Sequence, residues 1–102
     1  MALHNIESIR KRIVNLLKKL TPPQGVEVMS YKRNRGIVLL LKDRNTVRCR
    51  ERGYLEQEFC IGLHELEKPL KIMLKREFPR SRKVRLYQLA GPQELDLERK
   101  QL

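Results

Sequence analysis

The sequence predicts an α+β fold, a two-layer sandwich in which two helices cover one face of an antiparallel sheet of four or five strands. Apolar residues recur at helical spacing near the start of the chain and again in its second half. A run of five apolar residues, Ile37–Leu41, lies between turn residues, and strand-like segments flank it on both sides. The predicted order of elements is therefore α-β-β-β-(β)-α-β.

The first helix is predicted from Ile6 to Leu20, where apolar residues recur every three or four positions. Asn5 is the expected N-cap, because its side chain can accept a hydrogen bond from a free amide of the first turn. Lys18 and Lys19 lie near the negative end of the helix dipole. The Thr21–Gly25 stretch contains two prolines, so we expect it to end the helix and turn the chain.

A three-stranded meander is predicted next, from Val26–Lys32, Ile37–Leu41 and Thr46–Glu51. The residues between these strands are rich in Asn, Asp and Gly, which favour turns. A short, continuous apolar run is typical of a strand buried on both faces, so Ile37–Leu41 is the expected centre of the sheet.

A fourth strand is predicted, and the alternation of side chains between the two faces of the sheet limits the length of the loop before it. The apolar residues of the third strand and of this next segment all have odd numbers: Val47, Cys49, Leu55, Phe59 and Ile61. Because side chains alternate between faces, the loop must contain an odd number of residues. The three-residue loop Arg52–Tyr54 satisfies this. It places Arg48 opposite Glu58 and Arg50 opposite Glu56, so we expect these arginines to be paired.

The second helix is predicted from Leu63 to Phe78. Pro69 would cost ~3 kcal/mol in a helix interior, so we expect a loose first turn or a kink, with the regular helix beginning near Glu65–Lys68. A last strand, Val84–Leu89, should direct Val84 and Leu86 toward the core. Residues 1–91 then form one domain, and 92–102 a short C-terminal tail.

The charge balance is the strongest compositional signal. The chain has 23 Lys and Arg against 12 Asp and Glu, a formal net charge of +11. Such an excess favours polyanionic partners. No apolar run has the length of a signal peptide or a membrane span. Cys49 and Cys60 have neither zinc nor redox spacing. We therefore expect a cytoplasmic protein without a membrane partner, in which both cysteines are small buried residues.

Nucleic acid, RNA in preference to DNA, is the predicted partner. Arginines and lysines would neutralise phosphates, and tyrosines would stack on bases. The candidate binding residues are Lys32, Arg33, Arg35, Arg44, Arg80, Arg82, Lys83, Arg85, Tyr31 and Tyr87. The alternation Lys83-Arg85-Tyr87 places two cations and an aromatic ring on one strand face, which favours this interpretation.

The alternative is a protein-interaction or homo-oligomeric module. If Ile37, Leu39 and Leu41 pack under the helices, then Val38 and Leu40 point outward, near Met29 and Tyr31. Contiguous exposed apolar area is uncommon in monomers, so such a patch would be a binding surface. The competing interpretation is that arginine stems and the C-terminal tail cover it.

Catalysis is not predicted. His4 and His64 are isolated, the serines have no triad context, and there is no phosphate-binding glycine loop, metal site or cofactor motif. In topology alone, the helix–three strands–helix order resembles double-stranded-RNA-binding domains and the Alu-RNA-binding proteins of the signal recognition particle. No motif identifies either family, and the lysine-rich helix start typical of the former is not recognisable.

Overall fold

The computed structural model describes residues 3–30, 35–53, 55–79, 83–90 and 100–101. The strands of this part of the chain are β1 (Leu3–Asn5), β2 (Gly25–Met29), β3 (Gly36–Leu41), β4 (Thr46–Arg52), β5 (Gln57–Gly62), β6 (Lys83–Leu89) and β7 (Lys100–Gln101). The helices are α1 (Ile6–Lys19) and α2 (Glu67–Glu77), and a 3-10 turn, Leu63–Glu65, precedes α2.

The strands form one antiparallel sheet in the order β1-β6-β2-β3-β4-β5, and β7 pairs with β6 on the side that also pairs with β1. Both helices bury their apolar sides in the same cluster against this sheet. The predicted α+β class is therefore confirmed. The strands β1 and β7 were not predicted, because two or three residues are too few to show an alternation. Within the predicted tail, 92–99 lie outside the described residues.

The first helix matches its prediction closely. The Asn5 side chain accepts a hydrogen bond of 2.8 Å from the Glu7 amide, which makes Asn5 the N-cap. The buried residues of α1 are Ile9, Ile13 and Leu17, spaced at four, as a single apolar stripe requires. Burying each of these side chains contributes roughly 1.5–3 kcal/mol.

The central strand β3 is buried on both faces, as predicted. Ile37, Leu39 and Leu41 pack in the main core under the helices. Val38 and Leu40 face the other way and form a second buried cluster with Leu89, the last residue of β6. The side of each residue was therefore predicted correctly. The second cluster depends on β6, which lies far from β3 in the sequence.

The pairing of β4 with β5 differs from its prediction by two residues. Arg50 lies opposite Glu58, and Arg48 lies opposite Cys60. Five residues, not three, separate the last paired positions, Glu51 and Gln57. Because the difference is an even number, the faces are still those predicted. Leu55, expected in the strand, instead lies in the turn and is 40% exposed.

The second helix begins later in the chain than its apolar pattern predicted. The 3-10 turn occupies Leu63–Glu65, and α2 starts at Glu67 with Pro69 in its first turn. The expected loose start is confirmed, since the first-turn amides of a helix have no intrahelical acceptor and proline is tolerated there. Neither helix of the described chain is long and apolar enough to cross a membrane.

Candidate nucleic-acid interface

The sheet pairing brings two basic segments of the chain to one end. Met29, the last residue of β2, pairs with Gly36 on one side and with Arg85 on the other. The chain therefore leaves β2, enters β3 and enters β6 at the same end of the sheet. Arg52, which pairs with Gly36, ends β4 there too. We call this the basic end and define it by Arg35, Arg52 and Lys83.

Five of the predicted binding residues belong to the stretches 31–34 and 80–82, which directly precede Arg35 and Lys83 in the sequence: Tyr31, Lys32, Arg33, Arg80 and Arg82. They lie outside the described residues. Of the residues beside them, Lys83 is exposed and Arg35 is half-buried. Arg52 is exposed as well, and was not among the predicted binding residues.

Two glutamates are buried next to the basic end. Glu51 on β4 is 1% exposed, and Glu77 at the end of α2 is 0% exposed. Glu51 accepts hydrogen bonds from Gln57 at 2.9 Å and from Arg76 at 3.1 Å. Burial raises the pKa of Glu51, and its hydrogen bond with the Glu77 carboxyl raises it further, while Gln57 and Arg76 act in the opposite direction. A hydrogen bond between two carboxyl groups needs a proton on one of them.

The Glu77 carboxyl also explains the long turn between β4 and β5. Its Oε2 accepts a hydrogen bond of 3.2 Å from the Leu55 amide. A Cβ added at Gly53 would lie 2.0 Å from the Glu77 Oε1, so only glycine leaves room for the carboxyl. The turn thus wraps around the end of α2, and this contact accounts for the register that differs from the prediction.

Neither buried glutamate was predicted, although both left a signal in the sequence. Glu51 shares the odd numbering of Val47 and Cys49, which places it on the helix-facing side. Glu77 follows Leu70 by seven positions, which places it on the apolar stripe of α2. When a strand and a helix each have an acidic residue on the side that packs in the core, the two carboxyl groups are expected to lie close together.

The described surface is basic, because its exposed cations outnumber its exposed acids. The exposed cations are Lys11, Arg12, Lys18, Lys19, Lys42, Arg44, Arg48, Arg50, Arg52, Lys68, Lys71, Lys75 and Lys83. The exposed acids are Glu7, Asp43, Glu56, Glu58, Glu65 and Glu67. The other described acids, Glu27, Glu51 and Glu77, are buried. Four described cations, Arg10, Arg35, Arg76 and Arg85, are not exposed either, so the basic excess of the surface follows that of the sequence.

Arg44 lies at the opposite end of the sheet from Arg35 and Lys83. It is in the exposed turn between β3 and β4, beside Lys42. In this turn Asp43 accepts a hydrogen bond of 2.8 Å from the Asn45 amide, which lowers the pKa of Asp43. The structure thus separates Arg44 from Arg35 and Lys83 by the length of β3.

The Lys83-Arg85-Tyr87 alternation does not form an accessible face. The three side chains point away from the helices as expected, but Arg85 is only 5% and Tyr87 only 7% exposed. Both lie on the strand that pairs with β2, where Glu27 is opposite Tyr87 and is also buried. Arg85 and Tyr87 therefore present neither a free cation nor an open ring to a ligand.

The apolar outer patch expected of the alternative function is likewise covered. Val38 is 1% and Leu40 8% exposed, while Met29 is half-buried. Both helices lie on the other face, and Leu89 contributes to the burial. This result favours the interpretation that the patch is covered within the chain.

Over β4 and β5 the outer face is open. A polar groove of about 550 Å³ is lined by the alternate arginines of β4 and by the acids beside them: Arg48, Arg50, Arg52, Glu56 and Glu58, with Glu51 and Gln57. Arg48 and Glu58 form an ion pair of 2.8 Å, so their predicted pairing is confirmed, although they are diagonal neighbours rather than opposite. The Arg48 guanidinium lowers the pKa of Glu58.

The cysteines differ from each other. Cys49 is fully buried, and burial raises its pKa to about 12, so it is an unreactive thiol. Cys60 is exposed on β5, so the prediction that both are buried is wrong for this residue. Within the described part of the chain, no cluster of His, Cys, Asp and Glu could hold a metal ion.

No protein-family model, curated protein or solved structure matched the chain.

Proposed function

We propose that this protein binds nucleic acid, RNA in preference to DNA, through the basic end of its sheet and without catalysing a reaction. The observation that supports this most is the pairing of β2 with both β3 and β6. With the pairing of β3 and β4, it brings Arg35, Arg52 and Lys83 to one end of the sheet, and Lys32, Arg33, Arg80 and Arg82 are close to Arg35 and Lys83 in the sequence.

The electrostatics of the basic end support a phosphate ligand. Two acids near it, Glu51 and Glu77, are buried, and burial raises the pKa of Glu51. They therefore oppose an approaching phosphate less than two exposed carboxylates would. Neutralising phosphates with lysine and arginine releases counterions, and this release supplies most of the affinity of sequence-independent binding.

We propose a preference for RNA because single-stranded RNA segments have unstacked bases, which can contact aromatic rings. Tyr31 directly follows Ser30 at the basic end and is the stacking residue we propose. Tyr87 has no such role in the proposal, because its ring is buried. A cytoplasmic location stays a prediction from the sequence.

The test compares two pairs of cations that differ only in position. Arg52 and Lys83 are exposed at the basic end, whereas Lys42 and Arg44 are exposed at the opposite end. Each pair is replaced by alanine, which removes the same charge. Binding to a labelled single-stranded RNA is measured by fluorescence anisotropy over a series of salt concentrations.

The proposal predicts that R52A/K83A weakens binding and that its log–log salt slope becomes shallower by roughly 1.4, since each single-strand phosphate contact contributes about 0.7. K42A/R44A should leave the slope unchanged. Equal effects of the two pairs would mean that the net charge alone attracts RNA, and the proposal would be wrong.

A further inference from the structure

The two edges of the sheet are built differently. At one edge, the outer side of β6 pairs with β1 and β7, which have three and two residues. At the other edge lies β5, whose six residues pair only with β4 among the described strands. Very short edge strands discourage pairing with another chain, and a long edge strand invites it.

The sequence of β5 has few of the features that normally protect an edge, since its one charged residue, Glu58, is paired with Arg48. Gln57–Gly62 contains no lysine or proline and pairs with β4 in unbroken register, without a bulge. Lysine, proline and bulges are the usual means by which natural proteins prevent edge pairing. The backbone amide and carbonyl groups on the outer side of β5 are therefore available to another strand.

Half-buried apolar side chains follow the same edge. Phe59, Ile61 and Leu63 pack against the main core but keep part of their surface exposed, and Leu55 in the preceding turn is 40% exposed. All four residues have odd numbers, and Phe59 and Ile61 lie on the helix side of the sheet. A strand added beside β5 would cover them.

The charge along this edge favours a second copy of the chain as the partner of β5. The chain as a whole carries +11, so two copies repel each other over most of their surfaces. From Gly53 to Glu67, however, it contains no lysine or arginine. The same segment contains four acids, of which Glu58 on β5 is paired with Arg48 at 2.8 Å and Glu67 with Arg10 at 3.6 Å. At β5 two copies can therefore approach without bringing cations together.

We propose that β5 pairs with β5 of a second copy of this chain, antiparallel and about a two-fold axis, so that the two sheets become continuous. A two-fold contact uses the same surface on both copies, which is the commonest arrangement in soluble homo-oligomers. Backbone hydrogen bonds join the strands, and Phe59 and Ile61 of each copy cover those of the other. This interface is independent of the proposed nucleic-acid site and differs from the outer-face patch considered above.

Cys60 allows the proposed dimer to be detected by chemical cross-linking. It is exposed near the middle of β5, while Cys49, the other cysteine of the chain, is buried. Antiparallel pairing about the middle of β5 brings the two Cys60 side chains close together. A short bis-maleimide should then give a covalent dimer, as each thiol adds across one maleimide double bond. C60S should remove this product but still sediment as a dimer.

The decisive variant is C60K, which places two like charges near each other across the axis and adds the edge lysine that β5 lacks. Because the side chain is exposed, the fold should be retained, as circular dichroism would show. Analytical ultracentrifugation should give a dimer for the wild-type chain and a dissociation constant raised up to about fivefold for C60K. A wild-type monomer at all concentrations would overturn the proposal, as would a dimer that C60K does not weaken.

Discussion

The outer face of the sheet, away from the helices, has two halves with opposite properties. Over β6, β2 and β3 it is buried: Tyr87 and Leu40 are 7% and 8% exposed. Over β4 and β5 it is open, and Arg48 and Arg50 are exposed. All these residues were assigned to the correct face by alternation. The alternation of residues along a strand therefore predicts which face of the sheet a side chain lies on. Whether that side chain is covered depends on parts of the chain that are distant in sequence.

The buried half resembles a second core that includes charged groups. Val38, Leu40 and Leu89 form its apolar cluster, and Glu27 and Arg85 are buried on the same face. Burying a charge is costly unless it is paired, and both of these residues have partners. This half should therefore respond to substitution as a core does, and the open half should not.

The largest expected effect tests that contrast. L40E replaces the apolar contacts of Leu40 with Val38 and Leu89 by a largely buried carboxylate and should destabilise the protein by about 2 kcal/mol or more, even with Arg48 on the opposite strand. R50A, on the neighbouring strand of the open half, should change stability by no more than about 0.5 kcal/mol. Urea denaturation measures both. Unchanged stability in L40E would mean that this half is exposed.

The turn that borders the open half should show the next largest effect. In G53A the new Cβ would clash with the Glu77 Oε1, so the buried carboxyl or the turn must move, at a cost of about 1–3 kcal/mol. G62A is the matched control on the same strand pair. Its Cβ meets only His64 and Glu65 side chains, at 3.1 Å or more, and the exposed His64 can move. Equal losses in the two variants would refute the contact with Glu77.

The buried carboxyl pair predicts a pH dependence of a particular sign. Because the pKa of Glu51 is raised above its ordinary value of 4.5, the folded state binds the proton more tightly than the unfolded state. This contribution to stability is complete below pH 4.5 and is lost as the pH rises through the folded pKa. Arg76, Gln57 and Glu77 surround the group. E51Q should flatten the profile of unfolding midpoint against pH, and an unchanged profile would contradict this assignment.

The smallest effect is expected on the open half. R48A removes the guanidinium that lowers the pKa of Glu58, so this pKa should rise toward its ordinary value. The global stability should not change measurably, because both side chains are about half exposed, at 52% and 44%. A carboxyl titration followed by NMR measures the shift. R12A, a cation on α1, should leave the Glu58 titration as it is.

Local patterns predicted the elements, and tertiary contacts decided what the patterns could not show. The N-cap at Asn5, the two faces of β3 and the late start of α2 all follow from residues close in sequence. The register of β4 and β5 was wrong by two residues because Glu77, more than twenty positions away, fixes the turn. Arg35 and Lys83 come to the same end of the sheet because β6 pairs with β2, a long-range pairing that no local pattern specifies.

The most direct test of the central claim is a map of the amides that respond to RNA. Labelled protein is titrated with single-stranded RNA, and backbone chemical shifts are followed by NMR. The largest chemical-shift changes are expected at the basic end, at Gly36, Arg52 and Lys83. The turn at Asp43–Asn45 and the covered strand end at Leu89 should change little. Largest shifts at Asp43–Asn45, or shifts spread evenly over the exposed cations, would contradict this claim.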